Sequence, residues 1–186
     1  MNKVHRVRNA PPAPPLVVAS LSLKTCVNPA TSLHEICVAS VLVSKAVQID
    51  GPTAKTNPDY HFSLVCPPPA GSKMLPLDFK QKVHNDARTK ATITTLPNER
   101  ALLNVLTAKL HLADPDVIVG HNIRGFDMDV LTHRMEQTKT KMWSKVSRFR
   151  QRKFPRAIRK AAGKVSYAGN VYCGTFEIFT TECAHC

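Results

Sequence analysis

Acidic side chains are scarce in this chain, and they are missing where positive charge is densest. Against 26 Lys and Arg stand 13 Asp and Glu, a formal net charge of +13 over 186 residues. From 139 to 164 there are 11 Lys and Arg and no acid, while the other 160 residues hold 15 basic and 13 acidic side chains. That segment cannot neutralise itself. It attracts polyanions, nucleic acid first among them, unless it is only a solvated basic loop. Long apolar runs are also lacking, so no stretch approaches the roughly 20 residues of a membrane span. The basic N-terminus has no apolar core of a secretory signal, and the expectation is a chain that is not exported. Six cysteines are then expected as free thiols. Cys183-Ala184-His185-Cys186 has metal-ligand spacing and Cys173 could add a fourth ligand. A structural zinc site usually needs two separated ligand pairs, so no metal ligand is assigned. No internal repeat is visible.

The length suits one domain with a substantial core. Residues 1–13 read as a basic, Pro-rich arm with little to bury. Leu16 to Leu23, Ser32 to Lys45 and Tyr60 to Cys66 read as strands, the last stopped by three prolines. Asn98 to His111 reads as a helix. Asn98 is its N-cap, Glu99 lies in its first turn, and Leu102, Leu103, Leu106 and Leu110 make one apolar face. A second helix is expected from about Phe126 to Thr138, with Val130, Leu131 and Met135 inward. The 139–164 segment, with eleven like charges and few large apolar groups, is expected to be mobile, and Trp143 to anchor it to the core.

The densest information lies in Asp114-Pro115-Asp116-Val117-Ile118-Val119-Gly120-His121-Asn122-Ile123-Arg124-Gly125-Phe126-Asp127. It reads as a helix end, a short buried strand, a sharp turn at Gly120, and a new helix presenting a carboxylate in its first turn. A strand ending in a polar turn is where α/β proteins place their chemistry. From the residues alone, Asn122 reads as a turn residue and His121 as a structural hydrogen-bond partner.

The same pattern, D-P-D-V-I-V-G-H-N-I-x-G-F-D, resembles the second exonuclease motif of family B DNA polymerases, and the form G-H-N-I-x-G-F is closest to the eukaryotic alpha class. Pro14 to Thr25 is similar to that family's first exonuclease strand, and His133-Arg134 and Trp143 to Arg148 to its next helix and basic segment. The resemblance covers about residues 14 to 175. It implies an α/β, ribonuclease-H-like (3′–5′ exonuclease-like) mixed sheet flanked by helices. Residues 14–186 would form one such domain, incomplete at its C-terminus and carrying the basic segment 139–164.

An active exonuclease of that family holds two divalent metals, which generate hydroxide and stabilise the leaving oxygen. Hard cations need carboxylates. The family's first strand supplies them as S-F-D-I-E, and here the matching run is Ser20-Leu21-Ser22-Leu23-Lys24. Ser22 stands where the Asp belongs and Lys24 where the Glu belongs. An ammonium about 4 Å from a divalent ion would repel it by roughly 8 kcal/mol at an effective dielectric near 20. Of the family's positions only Asp127 keeps a carboxylate, and the third motif would lie past the last residue. The catalytic set is therefore degenerate at Ser22, Lys24 and Asp127, and no catalytic residue or metal ligand is assigned.

The resemblance implies a piece of a replicative DNA-directed DNA polymerase, a nucleotidyltransferase that extends primers in the nucleus. The intact enzyme would use Mg²⁺, and this piece would need no cofactor. Expected partners are DNA and RNA-primed template, the other polymerase domains, and primase and accessory subunits, with no membrane. Candidate nucleic-acid contacts are Lys145, Arg148, Arg150, Arg152, Lys153, Arg156, Arg159 and Lys160. The alternative is a stand-alone basic nucleic-acid-binding protein.

Overall fold

The computed structural model describes residues 13–48, 57–72, 75–85, 92–146, 153–154, 157–159 and 165–167. Five strands form one mixed sheet: β1 (Leu16–Val27), β2 (His34–Val47), β3 (Tyr60–Val65), β4 (Thr92–Thr95) and β5 (Val117–Val119), in the order β4-β3-β2-β1-β5. β1, β2 and β3 are an antiparallel meander, whereas β5 runs parallel to β1 and β4 parallel to β3. The two parallel pairings need crossovers, and the chain uses the helices α1 (Phe79–Asn85) and α2 (Glu99–Ala113) on the way. A third helix, α3 (Met128–Gln137), follows β5. This is the expected mixed α/β sheet flanked by helices.

Alternation along the strands decides which face is covered. Ala19, Leu21 and Leu23 of β1, Ala39, Val41 and Val43 of β2, and Phe62 and Leu64 of β3 are buried in one core with Leu102, Leu103, Leu106 and Leu110 of α2 and Leu131 and Met135 of α3. Ser22, Lys24 and Leu42, on the opposite face, are exposed. The register between β1 and β2 shifts twice, between Leu16 and Val18 and between Lys24 and Thr25. Lys24 faces Val38 but Thr25 faces Ile36, so Cys37 is an extra residue in β2. This bulge turns Ile36 and Cys37 both inward, and both are buried.

The termini of α2 explain how β5 reaches β1. Asn98 Oδ1 accepts from Ala101 N at 2.8 Å and caps the start. Asp114 ends the helix in the left-handed region at φ 44°, its N–H bonded to Leu110 O. Pro115 cannot continue the helix. Asp116 then clamps the start of β1 from both sides. Its N–H donates to Val17 O at 2.8 Å, and its Oδ2 accepts from Val17 N at 2.7 Å. That clamp sets the register Val18–Val117, Ala19–Ile118, Ser20–Val119.

Several expectations need correction. The strands β1 and β2 run further than Leu23 and Lys45, because their hairpin extends beyond the core. The short helix α1 and the strand β4 were not anticipated. The helix expected from Phe126 starts earlier, with a π-helical turn at Ile123–Asp127 that leads into α3. Within the basic segment the described residues form local structure. Trp143–Lys145 is a 3₁₀ turn, Val146 is buried, and Trp143 and Phe154 pack against the core. Further on, β6 (Ala157–Arg159) pairs antiparallel with β7 (Val165–Tyr167), and β7 lies against α3. The arm at 1–12, the side chains of Arg148, Arg150, Arg152, Arg156 and Lys160, and the cysteines from 173 onward lie outside the described residues.

Candidate functional site

The site is built where β5 ends beside β1. Gly120 was expected to supply a sharp turn, but it does not adopt a positive φ. Its need is space. A Cβ there would sit 2.7 Å from Leu21 O and 3.1 Å from Ile123 Cδ1. The left-handed residue is Asn122, at φ 47°, a conformation Asn tolerates better than most side chains. Gly120→Ala must push β1 and the turn apart. The expected loss is about 1–3 kcal/mol, the usual range for overpacking. Urea denaturation checks it, and a change below about 0.5 kcal/mol would show that the turn yields freely.

After Asn122 the chain forms the π turn, with Met128 N–H donating to Ile123 O. Such turns are rare and recur at functional sites. Here the turn carries Asp127 inward, to 9% exposure. Asp127 was expected to serve as a first-turn acid. It is instead the fifth residue of the helical run and makes no capping bond, so the helix terminus does not explain it. Burial pushes the Asp127 carboxyl up from its ordinary value, and the nearby His121 and Lys24 act in the opposite direction. The close approach of Gly120 to Leu21 lays the His121 turn over β1, and Lys24 lies three residues further along that strand. Lys24 thus lies near enough to Asp127 to act on its charge, and Ser22 and Lys24 share the exposed face of β1.

The chemistry of this donor set does not fit a metal pair. The exposed face of β1 offers a serine hydroxyl and an ammonium, and the ammonium acts on one buried carboxylate. Among the described residues no group of three or more His, Cys, Asp or Glu is arranged to hold a metal ion. The two buried thiols offer no nucleophile either. Cys26, Cys37 and Cys66 are free. Burial, then the neighbouring Cys26, drives the Cys37 pKa far up, and burial pushes Cys66 up to about 12. Both stay protonated near neutrality, and Cys66 Sγ donates to Ile36 O at 3.2 Å.

Of the basic candidates, Lys145 ends the 3₁₀ turn and is half-buried, Lys153 is exposed beside Phe154, and Arg159 lies on β6. Two features escaped the sequence. His34 and Phe126 meet edge to face, with centroids 5.3 Å apart, and Phe126 remains 37% exposed. Arg134 of α3 forms a fork with Glu99 of α2, its Nε donating at 2.9 Å and 3.0 Å to the two carboxylate oxygens. Glu99 also accepts from Ile36 N at 2.7 Å, and Glu35 lies 3.4 Å from the same guanidinium. Glu99 had been read only as a first-turn acid. No sequence signal links two residues 35 positions apart.

Comparison with known proteins agrees with this arrangement. Residues 2–184 match the model of the DNA polymerase family B exonuclease domain. Among curated proteins, the DNA polymerase alpha catalytic subunit of Mus musculus is 33% identical over 175 residues, covering 93% of this chain and 12% of that protein. Those of Oryza sativa and Xenopus laevis are each 35% identical, covering 88% and 93% of this chain and 12% of each protein. The chain thus spans about an eighth of the length of these relatives. By its match to the family model and its relatives, the chain belongs to the exonuclease domain of family B DNA polymerases, on its alpha branch.

Proposed function

We propose that this chain is a non-catalytic, exonuclease-like portion of a replicative DNA polymerase, and that it scaffolds the enzyme and touches nucleic acid. The observation that carries this reading is the pair Ser22 and Lys24 on the exposed face of β1, with Lys24 near enough to Asp127 to favour its charge. Two metal ions and their attacking hydroxide need carboxylates there. A lysine repels the first ion to arrive, so the hydrolytic reaction loses its electrophile and its nucleophile together. The intact protein would extend RNA-primed template in the nucleus, using Mg²⁺ held outside this portion, alongside its other domains, primase and accessory subunits. The relatives named DNA polymerase alpha catalytic subunit support that parentage. Incubation with end-labelled single-stranded DNA and Mg²⁺ or Mn²⁺ is expected to leave the label at full length. Metal-dependent shortening that disappears in Asp127→Ala would sink the reading.

The basic segment supplies the nucleic-acid contact in this proposal, through Lys145, Arg148, Arg150, Arg152, Lys153, Arg156, Arg159 and Lys160. Contacts of this kind read phosphate, not bases. Engagement of about five side chains gives a slope near −4 in log affinity against log salt, at roughly −0.7 to −0.9 for each phosphate. Replacing Arg148, Arg150, Arg152 and Lys153 with Gln is expected to flatten that slope toward −1. Unchanged affinity and slope in fluorescence anisotropy would reduce the segment to a solvated loop.

A further inference from the structure

Three sulfurs gather where the ends of β1 and β3 flank the bulge of β2. Cys37 is the extra residue of that bulge, and its Sγ lies 3.7 Å from Glu35 O. Glu35 faces Cys26 of β1 in the strand register. The Cys37 sulfur is therefore folded back along β2 toward the residue that opposes Cys26. Cys26 acts on the Cys37 thiol through both its side chain and its backbone, so the two are near neighbours. Cys66, just past β3, stands on the other side. Its N–H donates to Cys37 O at 2.9 Å, and its Sγ donates to Ile36 O at 3.2 Å.

Exposure and bonding set the order in which these thiols react. Cys26 is half-buried and is reached from solvent, whereas Cys37 and Cys66 are 7% and 2% exposed. Burial, then Cys26, keeps the Cys37 proton in place, so Cys37 is not the first to attack. Cys66 has its S–H committed to a carbonyl. The ladder is already broken at a bulge, so β2 shifts there at less cost than in a regular strand. A cavity of about 350 Å³ beside Cys37, lined also by Glu35, Cys66, Pro97 and Glu99, leaves room for that shift.

We propose that Cys26 and Cys37 form a modification site for hydroperoxides, at which Cys26 is oxidised first and Cys37 closes a disulfide onto it. The Cys26 sulfur attacks one oxygen of hydrogen peroxide. The O–O bond breaks, water leaves, and Cys26 becomes a sulfenic acid. The Cys37 sulfur then attacks the Cys26 sulfur. The S–O bond breaks, the Cys37 proton leaves with the hydroxide as water, and the S–S bond forms. Two thiols lose two electrons in all, and one peroxide becomes two waters. The bridge ties β1 to the bulge of β2, next to Ile36, whose N–H binds Glu99. A dithiol reverses it by exchange.

Trypsin cuts after Lys24 and Lys45, so Cys26 and Cys37 share the peptide 25–45, which holds no other cysteine. Cys66 falls in the separate peptide 56–73. The reduced 186-residue chain is treated with hydrogen peroxide, quenched, labelled with N-ethylmaleimide in denaturant and digested. Mass spectrometry is expected to show peptide 25–45 unlabelled and two hydrogens lighter than its reduced form. Circular dichroism of the oxidised chain should match that of the reduced chain. Dithiothreitol before labelling should return both labels. In Cys37→Ser no bridge can close, and dimedone should capture Cys26 as its sulfenic acid. In Cys26→Ser the Cys37 thiol should survive peroxide and take the label. The natural chain alone decides whether the bridge exists, so a variant that fails to fold does not spare the proposal. It is overturned if peptide 25–45 keeps both labels, or if peroxide joins Cys37 to Cys66 instead. It also fails if the bridge appears only as the dichroism of the folded chain is lost. Oxidation of Cys37 in a folded Cys26→Ser chain at the natural rate would refute Cys26 as the first thiol.

Discussion

Arg134→Met is expected to cost about 3–5 kcal/mol of folding stability, the range for removing one partner of a buried ion pair. The side chains of Arg134 and Glu99 are each 11% exposed, and Glu35 beside them is 21% exposed. Burial works against the Arg134 cation, but the hydrogen bonds and charge of Glu99, with Glu35 behind, outweigh it and hold its pKa above the ordinary arginine value. Without the guanidinium, Glu99 keeps only the Ile36 N–H among these contacts, and Glu35 keeps only the Asn28 amide at 2.8 Å. Two carboxylates then face each other at low solvation. The same fork ties α2 and α3 to the start of β2, so its loss also loosens the helices on the sheet. For a chain of this size about 2–4 °C of melting temperature accompanies each kcal/mol. Arg134→Lys should fall between, because an ammonium cannot match both oxygens at once. Removing the carboxylate as well, in Arg134→Met with Glu99→Leu, should recover part of the loss. A loss below about 1 kcal/mol for Arg134→Met would mean that water reaches the pair and that its burial counts for little.

The parts of this fold that could be read from sequence are those with a period. Leu102, Leu103, Leu106 and Leu110 announce α2, and the alternation of Tyr60 to Cys66 announces β3. β4 is Thr-Ile-Thr-Thr at the edge of the sheet, where one side chain in four is apolar, so it has no pattern to detect. α1 is seven residues with no acidic first turn. Helices that short take their stability from packing, which sequence does not display. The π turn was hidden for another reason. Gly120 and Asn122 both read as turn residues, yet one answers to crowding and the other to backbone torsion, and only coordinates separate those needs. At the site, the substitutions Ser22 and Lys24 were visible because a motif fixes where carboxylates belong. The convergence of Lys24, His121 and Asp127 was not, since it depends on β5 lying parallel beside β1.

Placing carboxylates at positions 22 and 24 is expected to strengthen divalent-cation binding beside Asp127. Ser22 and Lys24 lie two apart on one exposed face of β1, so Ser22→Asp with Lys24→Glu changes two solvated side chains and leaves the core untouched. The double variant replaces an ammonium and a hydroxyl with two carboxylates on the strand whose Lys24 acts on Asp127. Exposure screens the charges, which keeps the gain well below the contact estimate. A dissociation constant on the order of 10⁻³ M for Mn²⁺ is the expected scale, that of a weak oxygen-ligand site. The change in charge matters more than the ligand count. Lys24→Met alone removes the repulsion but adds no donor, and should bind no measurable metal. Asp127→Asn on the double variant should weaken binding about tenfold, because one of three carboxylates is lost and the buried one is the most rigid. Mn²⁺ titration followed by electron paramagnetic resonance reads all four proteins. Circular dichroism checks that each is folded. If the folded double variant takes up Mn²⁺ no better than the natural chain, Ser22, Lys24 and Asp127 do not converge on one point. The lysine at position 24 would then not account for the proposed loss of nuclease activity. If it binds and Asp127→Asn has no effect, the new carboxylates hold the ion alone and Asp127 has only a packing role.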